Sequence, residues 1–68
     1  MPVIRVEMFA GRTREQKKGL AKALTQAFTQ EANGRPEDVH IIFVDVAKDD
    51  WSVAGELVGS REQSKPNQ

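Results

Sequence analysis

Val39-His40-Ile41-Ile42-Phe43-Val44-Asp45-Val46 is the stretch whose reading decides the fold. Its centre, Ile41-Ile42-Phe43-Val44, is apolar at every position, so both faces of an extended strand there are apolar. Such strands are found covered on both sides. A chain with one long helix can cover one face only. The other face needs a neighbour, and a second copy of the same sheet would supply it.

Upstream, Val3 to Phe9 reads as another strand, with Arg5 and Glu7 alternating with Val3, Ile4, Val6, Met8 and Phe9. Ala10-Gly11-Arg12 is a tight connection. Thr13 then has the character of a helix N-cap, with Gln16 three residues on to complete a capping box. The helix is expected from about Arg14 to about Ala32. Its apolar stripe comprises Leu20, Ala21, Leu24, Ala27 and Phe28. Asn33-Gly34 ends it, with glycine suited to the left-handed cap. Arg35-Pro36-Glu37-Asp38 is a turn or a single helical turn opened by Pro36.

Strand, long helix and strand in this order make a βαβ unit with parallel strands. The fold class is α/β: a short βαβ unit with a C-terminal hairpin, paired into a four-stranded sheet in a dimer. Ala47-Lys48-Asp49-Asp50 is a polar loop, and Trp51 to Leu57 is expected to form a short hairpin that reaches another subunit. The domain spans 2–58. Residues 59–68 are polar and without periodicity, and they read as a mobile tail.

Length and composition agree with an associating chain. At 68 residues it forms one small domain, and it has no cysteine to staple it. Ten basic and ten acidic residues cancel, so no basic excess points to nucleic acid. No apolar run is long enough to span a membrane, and a soluble, cytoplasmic protein is expected. No metal site and no cofactor are expected.

Four residues stand out as chemistry-bearing. Pro2 directly follows Met1. Methionine removal is permitted when the second residue is small, and it would leave a free secondary amine. Burial and a nearby cation such as Arg12 would disfavour the charged form of that amine and suit it to general-base work. Taken alone, such a proline is more often an ordinary strand opener. Arg12, after the first strand, offers a fork that can clamp a carboxylate, or it is a solvated loop residue. His40 opens the second strand. It either polarises a carbonyl or sits at a surface or subunit contact. Trp51, the single tryptophan, walls an apolar pocket or packs between subunits, and both can hold.

These features together resemble the 4-oxalocrotonate tautomerase family. The similarity lies in Pro2-Val3-Ile4, Gly11-Arg12-Thr13-Arg14-Glu15-Gln16-Lys17, Val39 to Val46, Ala47-Lys48, Trp51 and Gly55-Glu56-Leu57. It covers about Pro2 to Leu57. The resemblance implies a homohexamer built as a trimer of dimers, with active sites shared between subunits. It also implies a cofactor-free isomerase of the kind used in breakdown of aromatic compounds. Pro2 would shuttle a proton between carbons of a small unsaturated 2-hydroxy or 2-keto acid. Arg12 would bind the substrate carboxylate and draw electron density from the reacting centre, and Trp51 would stand for the family's pocket phenylalanine.

One departure concerns the family's second catalytic arginine, whose position is taken by His40. The usual dicarboxylate is then less expected, and a monoacid or an altered pose more so. In related dehalogenases and hydratases a glutamate two residues past the aromatic position activates water. Here that position is Val53, which has no acid–base capacity. Tautomerisation therefore ranks above a lyase of that kind, and above a non-catalytic oligomeric scaffold.

Overall fold

The structure is a computed structural model and describes residues 1–63, the last three as backbone only. Strand β1 runs Val3–Phe9, helix α1 Arg14–Ala32 and strand β2 His40–Val46. Two-residue strands β3, Ser52–Val53, and β4, Glu56–Leu57, follow, and then helix α2, Val58–Gln63. β1 and β2 pair in parallel, from Val3 opposite His40 to Phe9 opposite Val46. The βαβ unit expected from the sequence is the fold.

Helix α1 begins where its capping chemistry lies. Gln16 N donates to Thr13 Oγ1 at 3.1 Å, and Thr13 N donates to Gln16 Oε1 at 2.9 Å. Its end differs in detail from the expectation. Asn33, not Gly34, takes the left-handed conformation, at φ 62°. A short polar side chain tolerates that region. Gly34 has another task, because a β-carbon there would lie 2.9 Å from Phe28 Cε1. The chain turns directly against the Phe28 ring. Gly34→Ala should therefore destabilise the protein by about 1 kcal/mol, overpacking outweighing the lost unfolded-state freedom of glycine. Denaturant melts at one fixed protein concentration will read this. A midpoint equal to or above wild type would show that the ring moves aside freely.

Alternation assigns the two faces of the sheet. Ile4, Val6 and Met8 share a face with Ile41, Phe43 and Asp45. Helix α1 lies on this side, tied by Lys17 Nζ to Asp45 Oδ2 at 2.7 Å. Val3, Arg5 and Glu7 share the other face with His40, Ile42 and Val44. That face is open in the single chain, with Val3 57% and Ile42 46% exposed. The helical stripe is also shifted from the expected one. Leu20 and Ala27 are exposed, while Lys17, Ala21, Leu24, Thr25, Phe28 and Thr29 are half-buried. The sheet under α1 is only two strands wide, so the outer residues of the expected stripe have nothing beneath them.

Among the described residues none is fully buried. The radius of gyration is 15.9 Å, against about 11 Å for a compact chain of this length. A lone chain thus shelters no core of its own.

The hairpin expected over Trp51 to Leu57 is present. Ser52 pairs with Leu57 and Val53 with Glu56, and Ala54 and Gly55 turn the corner at φ 55° and 81°. Two left-handed residues make the primed turn that matches strand twist. Beyond it the tail reading needs correction. Residues 58–63 form α2, which lies against the 3-10 turn Lys48–Asp50, and Val58 N donates to Trp51 O at 2.8 Å. Six residues are too few to show a helical period, and the contact that orders them is tertiary. The remainder of the expected tail, 64–68, lies outside the described residues.

Candidate active site

Pro2 stands at the head of β1. It is half-buried, whereas Met1 is 86% exposed. The Pro2 carbonyl accepts a hydrogen bond from His40 N at 3.0 Å, which extends the β1–β2 ladder to the last residue before the strand. The structure therefore brings Pro2 and His40 to one end of the sheet. His40 is exposed and shares the open face with Val3.

Arg12 lies at the opposite end. It is exposed, in the connection between β1 and α1, and its Nη1 donates to Phe9 O at 3.4 Å. From Pro2 to Ala10 the chain runs eight extended steps, roughly 26 Å. That is several screening lengths at physiological salt. Within one chain Arg12 therefore cannot act as the nearby cation expected to tune the Pro2 amine.

Trp51 sits with Arg12, not with Pro2. Its ring packs on Phe9 with centroids 4.5 Å apart and planes at 56°. Lys48 Nζ lies 5.9 Å from the Phe9 ring centroid. The carboxyl end of the strands thus carries an aromatic pair beside a guanidinium and an ammonium. Phe9 and Lys48 are additions that the sequence reading left as strand and loop. The one hint was at Phe9, where Met8-Phe9 breaks the alternation of apolar and charged residues.

One chain consequently holds two half-sites. The first brings together Pro2, bonded here to Met1 through its nitrogen, and the imidazole of His40. The second offers cations against an apolar wall, suited to holding a small carboxylate. A recess of about 400 Å³ lies elsewhere, lined by Ala21, Lys22, Thr25, Gln26, Thr29 and Pro36. None of the four candidate residues lines it, and it has no acid–base pair, so its size alone does not make it the active site.

The chain is similar to proteins that share one family name. The family profile of the tautomerase enzymes matches residues 2–61. A probable tautomerase of Ralstonia nicotianae is 37% identical over 59 residues, covering 87% of this chain and 91% of the relative. Among solved structures, a 4-oxalocrotonate tautomerase isozyme of Methylibium petroleiphilum superposes with a TM-score of 0.90 at 31% identity. It covers 94% of this chain and 100% of that one. The heterohexameric 4-oxalocrotonate tautomerase of Chloroflexus aurantiacus gives 0.82 at 32% identity, over 87% and 95% of the two chains. The residues that carry the two half-sites lie within the matched span, and the chain belongs to the tautomerase family, the family of the 4-oxalocrotonate tautomerases.

Proposed function

We propose that the chain is a cofactor-free tautomerase acting on a small unsaturated 2-hydroxy or 2-keto acid. The observation that carries this reading is the placement of Pro2. It heads β1 as the first residue of the family match, next to the exposed Met1. Removal of Met1 would turn Pro2 into a free secondary amine at a fixed point of the sheet.

The chemistry follows from the residues. The Pro2 nitrogen takes a proton from carbon of the 2-keto acid, or from the hydroxyl of the 2-hydroxy acid, and either loss leaves the same conjugated enolate with its charge on the C2 oxygen. The same nitrogen then delivers the proton to a carbon further along the conjugated chain. Nothing is oxidised or reduced, and no second reactant is consumed. Arg12 holds the carboxylate and stabilises the charge that develops. Trp51 and Phe9 keep the pocket apolar. Pro2 and Arg12 are too far apart in one chain to act on one small acid, so each complete site takes them from two chains. A homo-oligomer is the working form, and the heterohexameric relative from Chloroflexus aurantiacus supports an assembly of six chains.

Intact-mass measurement on the natural protein, combined with an absorbance screen of small enol acids, tests the reading. A chain beginning at Pro2 that ketonises such an acid is expected. Full activity in a chain that keeps Met1 would sink it.

His40 tunes which acid is taken. His40→Arg adds a charged fork at the Pro2 end of the sheet. It should raise kcat/KM for 2-hydroxymuconate-type dicarboxylates by about tenfold, the worth of one charge-assisted hydrogen bond. Monoacids should gain little. A fall on both substrate classes would show that the imidazole has a role of its own.

A further inference from the structure

The carboxyl end of the sheet carries a second cation beside Arg12. Ala10 N donates to Val46 O at 3.1 Å, which closes the β1–β2 ladder at this end. Arg12 stands two residues past Ala10 and Lys48 two residues past Val46, so the two segments leave the sheet side by side. Both side chains meet Phe9. Arg12 Nη1 donates to its carbonyl at 3.4 Å, and Lys48 Nζ stands over its ring, 5.9 Å from the centroid. Trp51 packs on the same ring.

The backbone under Lys48 is held at several points. In the 3-10 turn Lys48–Asp50, Asp50 N donates to Ala47 O at 2.9 Å, and Trp51 N donates to Lys48 O at 3.4 Å. Helix α2 lies against this turn. The Asp49 carboxylate is turned onto Gly59, where a β-carbon would overlap Asp49 Oδ1. The acid next to Lys48 in sequence is thus directed at α2. The contact of the Lys48 ammonium with the Phe9 ring is at the outer limit of cation–π range. An anionic oxygen is a stronger partner for the same ammonium.

We propose that Lys48 binds the C2 oxygen of the acid while Arg12 holds its carboxylate, so that this end of the sheet selects 2-oxo and 2-hydroxy acids over plain carboxylic acids. A guanidinium fork engages both oxygens of a carboxylate at once. The C2 oxygen sits on the neighbouring carbon and needs a donor of its own, from the same end of the sheet. A lysine ammonium is a compact charge on a flexible stem with three rotatable donors, suited to a single oxygen. Loss of the proton turns the C2 oxygen from neutral to anionic, so the contact strengthens where the charge develops. Lys48 in this role rests on the proposed function for its part in turnover, but its recognition of the C2 oxygen can be read by binding alone.

Trp51 is the single tryptophan and lies on this wall, so its fluorescence reports a bound acid without turnover. The probes are 2-oxopentanoate and pentanoate, which differ only at C2. Wild-type protein should bind the 2-oxo acid more tightly. Lys48→Met keeps an unbranched side chain against Phe9 and removes the charge. It should weaken 2-oxopentanoate about tenfold, the worth of one charge-assisted hydrogen bond, and change pentanoate by less than about twofold. Lys48→Arg should restore part of the loss. Arg12→Ala should weaken both acids. Lys48→Gln serves as the neutral variant where methionine disturbs the sedimentation or the circular dichroism.

An equal loss for the two acids would place Lys48 on the carboxylate and overturn its assignment to C2. Unchanged binding of 2-oxopentanoate by the neutral variants would overturn it as well, as would a wild-type protein that binds neither acid. In turnover of an enol acid, Lys48→Met should lower kcat about tenfold and raise KM less, because the contact is strongest in the enolate. Turnover and 2-oxo acid binding both untouched by Lys48→Met would remove Lys48 and leave the tautomerase reading standing. The expected binding pattern in a protein that converts no enol acid would keep Lys48 at C2 and remove the catalytic reading.

Discussion

Pro2→Ala is expected to lower kcat/KM by about 100- to 10,000-fold, the usual range for loss of a positioned acid–base group. The substitution keeps an N-terminal amine and keeps the carbonyl that accepts from His40 N, so the ladder between β1 and β2 has no reason to open. What changes is the base itself. A secondary amine in a ring becomes a primary amine on a freely turning bond, with a different basicity and a spread of orientations. Proton transfer depends steeply on both. Alanine is small enough for Met1 to be removed from this variant too, so the comparison is between two free amines. The check is steady-state kinetics on an enol acid alongside circular dichroism and sedimentation. Native spectra and assembly with the expected loss assign the base. An unchanged kcat/KM removes Pro2 from the mechanism.

The sequence displays the fold more openly than the site. β1, α1 and β2 announce themselves because their signals are local: alternation about Arg5 and Glu7, a capping box at Thr13 and Gln16, an unbroken apolar run at Ile41 to Val44. Helix α2 was not legible, since six residues ordered by a neighbouring turn carry no period of their own. The identity of the four site residues rested on their chemistry and on the family pattern. Their arrangement did not follow from either. Pro2 and Arg12 are ten residues apart in sequence, which suggests closeness, yet an extended strand separates neighbours in sequence as far as any element can. The aromatic wall was half legible. Trp51 was visible as the single tryptophan, but its partner Phe9 looked like one more strand residue until the ring contact was seen.

Arg12→Ala is the second large effect, and it also tests how the site is built. The guanidinium is exposed and makes one long contact to its own chain, the 3.4 Å bond to Phe9 O. Its removal should leave the fold intact. Its loss should raise KM, because the carboxylate clamp goes, and lower kcat, because the enolate charge is no longer stabilised. The combined cost is about 2–4 kcal/mol, or about 30- to 1,000-fold in kcat/KM. Arg12→Lys should recover part of the KM effect, keeping the charge without the fork. The decisive measurement mixes Pro2→Ala chains with Arg12→Ala chains after reversible dissociation. In a mixed dimer one site joins native Pro2 from one chain to native Arg12 from the other, and the second site carries both substitutions. Random pairing makes half the dimers mixed, so about one quarter of wild-type activity should return from two nearly inactive proteins. Sites complete within a single chain would give no recovery, because every chain in the mixture lacks one of the two groups. That outcome would contradict the separation of Pro2 and Arg12 along β1.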